Sequence, residues 1–493
     1  VGLVLLAPLV LLSACGRHVL EDRLPDVPLA VRPAQPNCRA SVQGLAGLVG
    51  LAKLSGQNVL TPATLRAQNH SPDNLYNLLL TARRALNGYY YGFSGVDLQA
   101  LHRKYETLFR AGQDRPLSLY GIDAGTDARM AAYFAEVGDG HTYYLDEAQA
   151  RTYRDVQAGN PTPQPVFGLS FAPLPGTDGA VVLSVRGDGP AFAAGLRRGD
   201  VLRRVNGEAF DRNGADEAAA RTAYSALLAR AAAGGSAAHF QYDRAGSPNS
   251  AFIQARVLSA GQLPYGEFLP NGVYYLRLPS FSGAGVADRV HALVGAAKRG
   301  EAQGVILDLR DNGGGRVVEF VGAAAAFAPD FAGEVLEDNT ANDVTFRYDG
   351  ASGSVVGSDV CGSQRFSQSV TSPQTWTGPT AILVNARSAS ASELFAQALR
   401  LGGKARVIGE DTYGVGNTVT YIFTDGVPGA RAMSVTAGRG RLLNGRYAQE
   451  QVKPDDAQSD DLARLAQGED LALNAARAYL EGAARTTAAP RVP

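Results

Sequence analysis

Lysine is scarce in this chain: five are scattered along 493 residues, against a total of 46 lysines and arginines. With 47 acidic residues the formal net charge is −1, so no basic surface argues for a nucleic-acid partner. The arginine excess, with abundant alanine and glycine, reads as nucleotide composition more than function. Cysteine is rarer still, with Cys15, Cys38 and Cys361 alone. No His, Cys or carboxylate cluster has the spacing of metal ligands, so neither a metal nor another cofactor is implied. A long apolar run is also missing. Leu3 to Leu12 is too short to span a bilayer as a mature helix and has the length of a signal-peptide core.

That run ends in Leu12-Ser-Ala-Cys15, which looks like a bacterial lipobox, although no basic residue precedes it. Residues 1–15 then read as a lipoprotein signal peptide, with Cys15 the lipidated residue. An uncleaved hydrophobic anchor leads to the same compartment: the cell envelope, on the extracytoplasmic side of the membrane. An oxidising compartment permits Cys38 and Cys361 to pair, and nothing in the spacing fixes that they do. Residues 16–45, with Pro25, Pro28, Pro33 and Pro36, read as a tether.

The length suggests two to four domains with ample core. Residues 46–160 carry a helical pattern, in which Leu75, Leu78, Leu79, Ala82 and Leu86 share one face and Leu98, Leu101, Tyr105 and Leu108 another. A helix over Asp127–Phe134 delivers Gly138-Asp-Gly-His141 on a turn. A histidine there is either an exposed bystander or a general base. Of the other five histidines, His102 beside Arg103 reads as lying on an exposed helix face. From residue 259 to 482, strands and helices alternate: Gly272–Leu278, Val286–Ala297, Gly304–Leu309, Val317–Phe327. A variable insertion is expected over 330–374, then come the Thr380 strand, the strand Arg406–Gly409 and β-rich Tyr413–Arg441. Asp461–Glu481 closes the core as a helical segment, and residues 483–493 read as a loose tail. This is an α/β sheet with its turns at strand ends, where open sheets place ligands.

The most informative stretch is Asn385–Gly403, NARSASASELFAQALRLGG. The strand before it and the helical spacing of Leu394, Ala398 and Leu401 after it put three serines on a strand-to-helix turn. A hydroxyl there meets free N–H groups and the positive end of a helix dipole, which favour developing negative charge. Ser390 with Glu393 three residues on is equally a capping box, which satisfies backbone donors and does nothing else.

The SASASE run, with Gly304-Val-Ile-Leu-Asp-Leu-Arg-Asp-Asn-Gly-Gly-Gly315 before it, resembles the tail-specific, or C-terminal processing, serine peptidases and their tricorn-core relatives. Asp139-Gly-His-Thr-Tyr-Tyr-Leu145 and Gly409-Glu-Asp-Thr-Tyr-Gly414 extend the resemblance over roughly Leu75 to Asp455. It implies a multidomain α/β protein: a helical N-terminal region, a PDZ-like β domain over 161–258, and a peptidase core of the crotonase-like type. In the PDZ-like stretch, Phe167, Gly168, Leu169 and Ser170 match the loop that receives a peptide's C-terminal carboxylate, and Ala218–Ala233 the helix lining the groove. Such a fold can also serve only as a scaffold or gate.

By motif position the nucleophile is Ser390, and the oxyanion donors are the N–H groups of Ala391 and Gly314. Asp308 and Arg310 are expected to hold the glycine turn. The sequence departs from the family at the base. Its lysine motif is matched by Tyr413-Gly-Val-Gly416, with Val415 in the lysine's place and Val419 where a glutamine is usual. A valine cannot accept a proton, and Lys404 and Lys453 are the nearest substitutes in sequence. The tricorn-like branch takes its base from a motif matched by Gly140-His141-Thr142, so the expected base is His141. Asp139, Glu410 and Glu450 are candidates to orient it, Glu450 being preferred by its place in the chain. The expectation is an envelope-anchored Ser-His endopeptidase acting on polypeptides through an acyl-enzyme. The competing expectation is an inactive homologue that serves as a peptide-binding scaffold.

Overall fold

The computed structural model describes residues 24, 29 and 74–488, apart from 114, 163, 340–342, 404 and 425–430. The expected signal peptide, Cys15, the tether apart from Leu24 and Leu29, Cys38, Lys404 and the last five residues lie outside that set. Cys361 is held in a disulfide, and its partner cysteine is outside the described residues.

Three helices open the described chain: α1 (Leu75–Tyr89), α2 (Leu98–Arg110) and α3 (Ala124–Ala135), capped by Asn74, Asp97 and Asp123. The five apolar residues expected on one face of α1 are all buried. On α2, Phe109 takes the place expected for Leu108, which is 45% exposed. His102 is not exposed either. Its ring lies buried between Tyr133 and Asn87, and burial pushes its pKa down to about 4, with the charges of Arg83 and Arg103 adding to the effect. Next come a short strand β1 (Tyr143–Leu145) and α4 (Glu147–Ala158).

Residues 166–257 make a sheet with its own core. Its strands are β2 (Leu169–Pro173), β3 (Ala180–Val185), β4 (Val201–Val205), β5 (Glu208–Ala209), β6 (Ala238–Arg244) and β7 (Ser247–Ile253), with the one-turn α5 (Pro190–Ala193) between β3 and β4. The order is β2-β3-β4-β6-β7, which leaves β2 at an edge beside α6 (Glu217–Ala233). Tyr224, Leu227 and Leu228 of α6 pack on Phe167, Phe210 and Phe240.

The central sheet runs β19-β16-β15-β10-β9-β8. Here β8 is Tyr265–Phe268, β9 Val273–Arg277, β10 Gly304–Asp308, β15 Thr380–Val384, β16 Ala405–Gly409 and β19 Asp456–Ala457. All pairs are parallel except β8 with β9. The central strands β10 and β15 are buried at every position because helices cover both faces. Val305 and Leu307 face α7 (Val286–Arg299), α8 (Val317–Ala325) and α9 (Ala391–Leu401), while Ile306 faces α11 (Leu471–Ala488), which follows the short α10 (Leu462–Ala466).

The segment 330–374, read from sequence as an insertion, instead builds half of another sheet. It supplies β11 (Gly333–Asp338), β12 (Val344–Asp349), β13 (Ser354–Asp359) and β14 (Gln364–Ser369), and β11 pairs with β18 (Ala432–Leu442). Alternating burial along β12 marks it as a genuine strand; Gly, Asp and Ser between the strands broke the pattern into pieces too short to read. β18 also takes β17 (Thr418–Phe423) and, at its start, β1 of the helical region, with Tyr143 opposite Ser434. Ile422, Met433 and Val435 complete the core under α1–α3, so the helical region and the sheet that contains β17 and β18 share one interior.

Charges are buried where the units meet. Arg310, 1% exposed, binds Asp308 through three nitrogen-to-oxygen contacts and Asp470 at 2.7 Å, and Arg198 from the 166–257 unit reaches Asp460 and Asp470. Burial alone would raise the Asp308 pKa, but Arg310 and Arg277 hold it well below the usual carboxylate range. Replacing one member of such a cluster leaves the others buried and uncompensated. Arg310→Met is expected to cost about 3–5 kcal/mol of unfolding free energy, measured by urea denaturation near neutral pH; a loss below about 1 kcal/mol, the range of exposed pairs, would contradict it.

Candidate active site

Asn385 directly follows β15, and the turn 385–390 is stitched to the glycine turn after β10. Ser388 Oγ donates to Leu309 O, Ala389 N to Asn312 O and Ser392 Oγ to Asn312 O. Asn385 in turn accepts from Asp311 N and donates to its carboxylate. Ser390 then starts α9 with φ 57° and ψ −119°, left-handed backbone that a side chain tolerates only under constraint. The constraint is visible in Glu393. Its carboxylate accepts from Ser390 N at 2.7 Å, as the capping reading expected, and also from Thr412 Oγ1, Gly414 N and Val415 N at 2.5–3.0 Å. Burial raises the Glu393 pKa, with those four donors acting in the opposite direction.

Ser390 and His141 line one cavity of about 500 Å³, together with Gly140, Gly313, Gly315 and Ala391. Among the described residues no hydrogen bond joins Ser390 to His141. β1 carries the histidine there. Its loop is fixed by Asp139, which accepts from His141 N at 2.9 Å, and by Ser434 Oγ, which donates to His141 O. The ring contact is made by Asn417, whose Oδ1 stands 2.5 Å from Nδ1. An amide oxygen can only accept, so Nδ1 carries the hydrogen and Nε2 keeps its lone pair. Burial lowers the His141 pKa, while the Asn417 bond and the Asp139 charge act to raise it.

Two expected roles are corrected by this geometry. Glu450 is exposed and meets the site only through its backbone, where its carbonyl accepts from Gly416 N; the orienting contact on His141 belongs to Asn417. Of the other acids considered, Asp139 holds the loop backbone and Glu410 accepts from Ala386 N and Asp460 N behind the serine turn. Gly314, for its part, donates its N–H to Asn312 Oδ1 at 2.9 Å. Its lack of a side chain still matters: a Cβ there would stand 2.8 Å from Ser390 Cβ and 2.9 Å from Ala391 N, at φ 94°. Gly313 and Gly315, on either side of it, face the cavity, and neither their N–H groups nor that of Ala391 has a partner within the described protein. Asn417 was missed from sequence, and within the glycine turn Gly313–Gly315 the sequence reading preferred Gly314. Asn417 lies two residues before the Val419 that broke the family pattern, so only its contact with the ring identifies it.

Val415 packs where the His141 loop passes: a Cβ on Gly140 would lie 3.2 Å from Val415 Cγ1. No lysine is among the cavity's lining residues, and Lys453 is exposed. In the 166–257 unit, Phe167, Gly168, Leu169 and Ser170 lie at the edge of β2 and line a groove of about 760 Å³ with Leu228 and Ala232 of α6. At its far end Arg221 of α6 donates to Phe171 O.

A parallel core presents a serine turn against a glycine turn, and the sequence comparisons find a family model similar to that core. Residues 272–457 match the model of Peptidase family S41. The carboxy-terminal processing protease CtpA of Bacillus subtilis is 25% identical over 300 residues, covering 60% of this chain and 56% of the relative. The chloroplastic C-terminal processing peptidase of Tetradesmus obliquus is 27% identical over 372 residues, 73% of this chain and 72% of the relative. The chain spans a little over half the length of the first of the curated relatives it matches. A crystal structure from Bacteroides fragilis, provisionally assigned as an S41 protease, superposes with a TM-score of 0.50 at 16% identity, over 77% of this chain and 97% of that one, and shows the shared fold. The resemblance to tail-specific and C-terminal processing peptidases read from the motifs is thus borne out by the comparisons.

The strained backbone gives a direct test. Ser390→Gly relieves an unfavourable φ that Ser390→Ala keeps, so the glycine variant is expected to be the more stable of the two by about 1 kcal/mol in thermal or urea unfolding, after glycine's own entropic cost. Equal stability of the two variants would mean that no strain is stored at this turn.

Proposed function

We propose that this protein is a serine peptidase acting on polypeptides, with Ser390 as nucleophile and His141 as base. The observation that carries the reading is the pairing of His141 Nδ1 with Asn417, which leaves Nε2 free to accept a proton in the cavity that also holds Ser390. In the reaction, Ser390 Oγ attacks the scissile carbonyl and its proton passes to Nε2. The tetrahedral oxyanion is met by Ala391 N–H and by the glycine turn at Gly313 or Gly315. Collapse expels the amine, protonated by His141, and leaves an acyl-enzyme that water hydrolyses. A small closing movement that brings hydroxyl and imidazole into contact is part of this reading.

The 166–257 unit is assigned as a PDZ-like module. Its edge strand β2, facing α6 across an apolar groove, suits strand addition by a substrate's C-terminus with the carboxylate at Phe167–Ser170. Lipid attachment at Cys15 would hold the protein at the extracytoplasmic face of a membrane; among the described residues no helix is long and apolar enough to cross one. A second reading, a peptide-binding scaffold without activity, is favoured by Val415 and by the missing hydrogen bond between Ser390 and His141.

A fluorophosphonate probe separates the two. Labelling of Ser390, reduced by about 100-fold or more in His141→Ala, is the outcome expected of a base-assisted serine; folded protein that never labels supports the scaffold. Because only neutral imidazole accepts the proton and burial lowers its pKa, the labelling rate is expected to fall at acid pH with a midpoint below the ordinary 6.5. Asn417→Ala removes a contact that favours the charged ring, so its midpoint is expected to move further down while the rate at neutral pH also drops; an unmoved midpoint would dissociate Asn417 from the base.

A further inference from the structure

The floor of the cavity holds a titratable group that the mechanism above does not use. Glu334 on β11, between Leu442 of β18 and Phe346 of β12, lines the same cavity as Ser390. It is 0% exposed, and neither carboxyl oxygen has a hydrogen-bond partner. Its surroundings are apolar: a Cβ built on Gly440 would lie 3.2 Å from Oε2, 3.5 Å from Leu394 Cδ2 and 3.8 Å from Ala448 Cβ. Leu394 belongs to α9, one turn beyond Ser390 and Ala391, so the carboxyl stands below the point where an acyl group would be attached. Burial with no compensating cation pushes its pKa up to about 8.

Other buried carboxyls among the described residues have partners. Glu319 accepts from Gly285 N and Ala287 N, Glu393 from four donors, and Asp308 from two arginines. An orphaned carboxyl in the wall of a ligand cavity therefore has the character of a group whose partner arrives with the ligand.

We infer that Glu334 forms the base of the subsite for the side chain next to the attacked carbonyl, and that this subsite selects a basic residue, lysine or arginine. The inference rests on Ser390 being the nucleophile. Val317, Phe320 and Leu394 supply an apolar wall for the aliphatic stem, and the carboxyl receives the cation at its end. An apolar side chain fills the same wall but leaves the carboxyl unpaired, so it gains nothing from Glu334.

The test uses two peptidyl phosphonates that differ only in carrying lysine or leucine at the reacting position, with the rate of Ser390 modification followed by mass spectrometry. The full chain is expected to react with the lysine compound at least about 10-fold faster, and Glu334→Gln to bring the two rates together. Equal rates or a leucine preference in the unsubstituted protein overturn the proposal, and that comparison stands even if Glu334→Gln does not fold. A preference for lysine that survives in Glu334→Gln overturns it as well. If the small fluorophosphonate labels Ser390 while neither peptidyl compound does, the subsite proposal fails and the nucleophile stands. If none of the three labels, the peptidase reading falls and this one with it.

Discussion

The carboxylate of Glu393 is the joint on which the site depends. One side chain gathers the amide of Ser390, the hydroxyl of Thr412 and the amides of Gly414 and Val415. Two segments that would otherwise be independent loops, the serine turn and the stretch 412–416, are thereby fixed relative to each other. Three of those donors are backbone groups at the ends of regular structure, where no helix or sheet partner exists. The cluster therefore removes a desolvation cost and sets a geometry together. It also explains how a serine stays at φ 57°: its own N–H is claimed from one side, while Ala389 and Ser392 anchor the turn to Asn312 from the other. Strain of this kind persists only where neighbouring contacts over-determine it.

The second constraint is topological. His141 arrives from a helical region far from Ser390 in sequence, and three residues of β1 bring it in by pairing with the start of β18. The same strand sends Met433 and Val435 into the core under α1–α3 and its later residues into the core around β11. Displacing the histidine therefore means opening a shared interior, which is why a three-residue strand can hold a reactive group in place. The loop then leans on Val415, and here the absent lysine matters. A cation at that position would stand beside an imidazole and be buried with it, lowering the pKa of each. With valine there the histidine has an apolar neighbour and keeps Asn417 as its polar contact.

Much of this was legible in the sequence because it obeys local rules. The buried runs at Gly304 and Thr380, the helical spacing after Ser390 and the glycine turn each state their structure within ten residues. The serine and histidine stood out in the sequence because their motifs are compact. What escaped was decided by contacts between distant segments. Nothing local says that Glu393 serves two loops, that Asn417 rather than Glu450 meets the histidine ring, or that Gly314 gives its N–H to Asn312. His102 and Leu108 were misplaced for the same reason, since which side of α2 faces inward is settled by α3 and its Tyr133. The strands over 330–374 were invisible because short antiparallel strands with polar outer faces show their pattern only once paired.

Two buried glutamates flank the serine helix, and the difference between them is physical. Glu393 lies where backbone donors converge, so its charge is solvated by the fold and its role is complete without a ligand. Glu334 lies among Leu394, Ala448 and the bare backbone of Gly440, where no donor reaches it. Folding alone gives no reason for a carboxyl there: leucine or methionine would fill the same strand position and spare the desolvation cost. A polar group that the fold does not satisfy, set in the wall of the cavity that Ser390 and His141 line, is accounted for by a partner that is not part of the chain. A cation at the end of an apolar stem is the partner that fits both the wall and the acid.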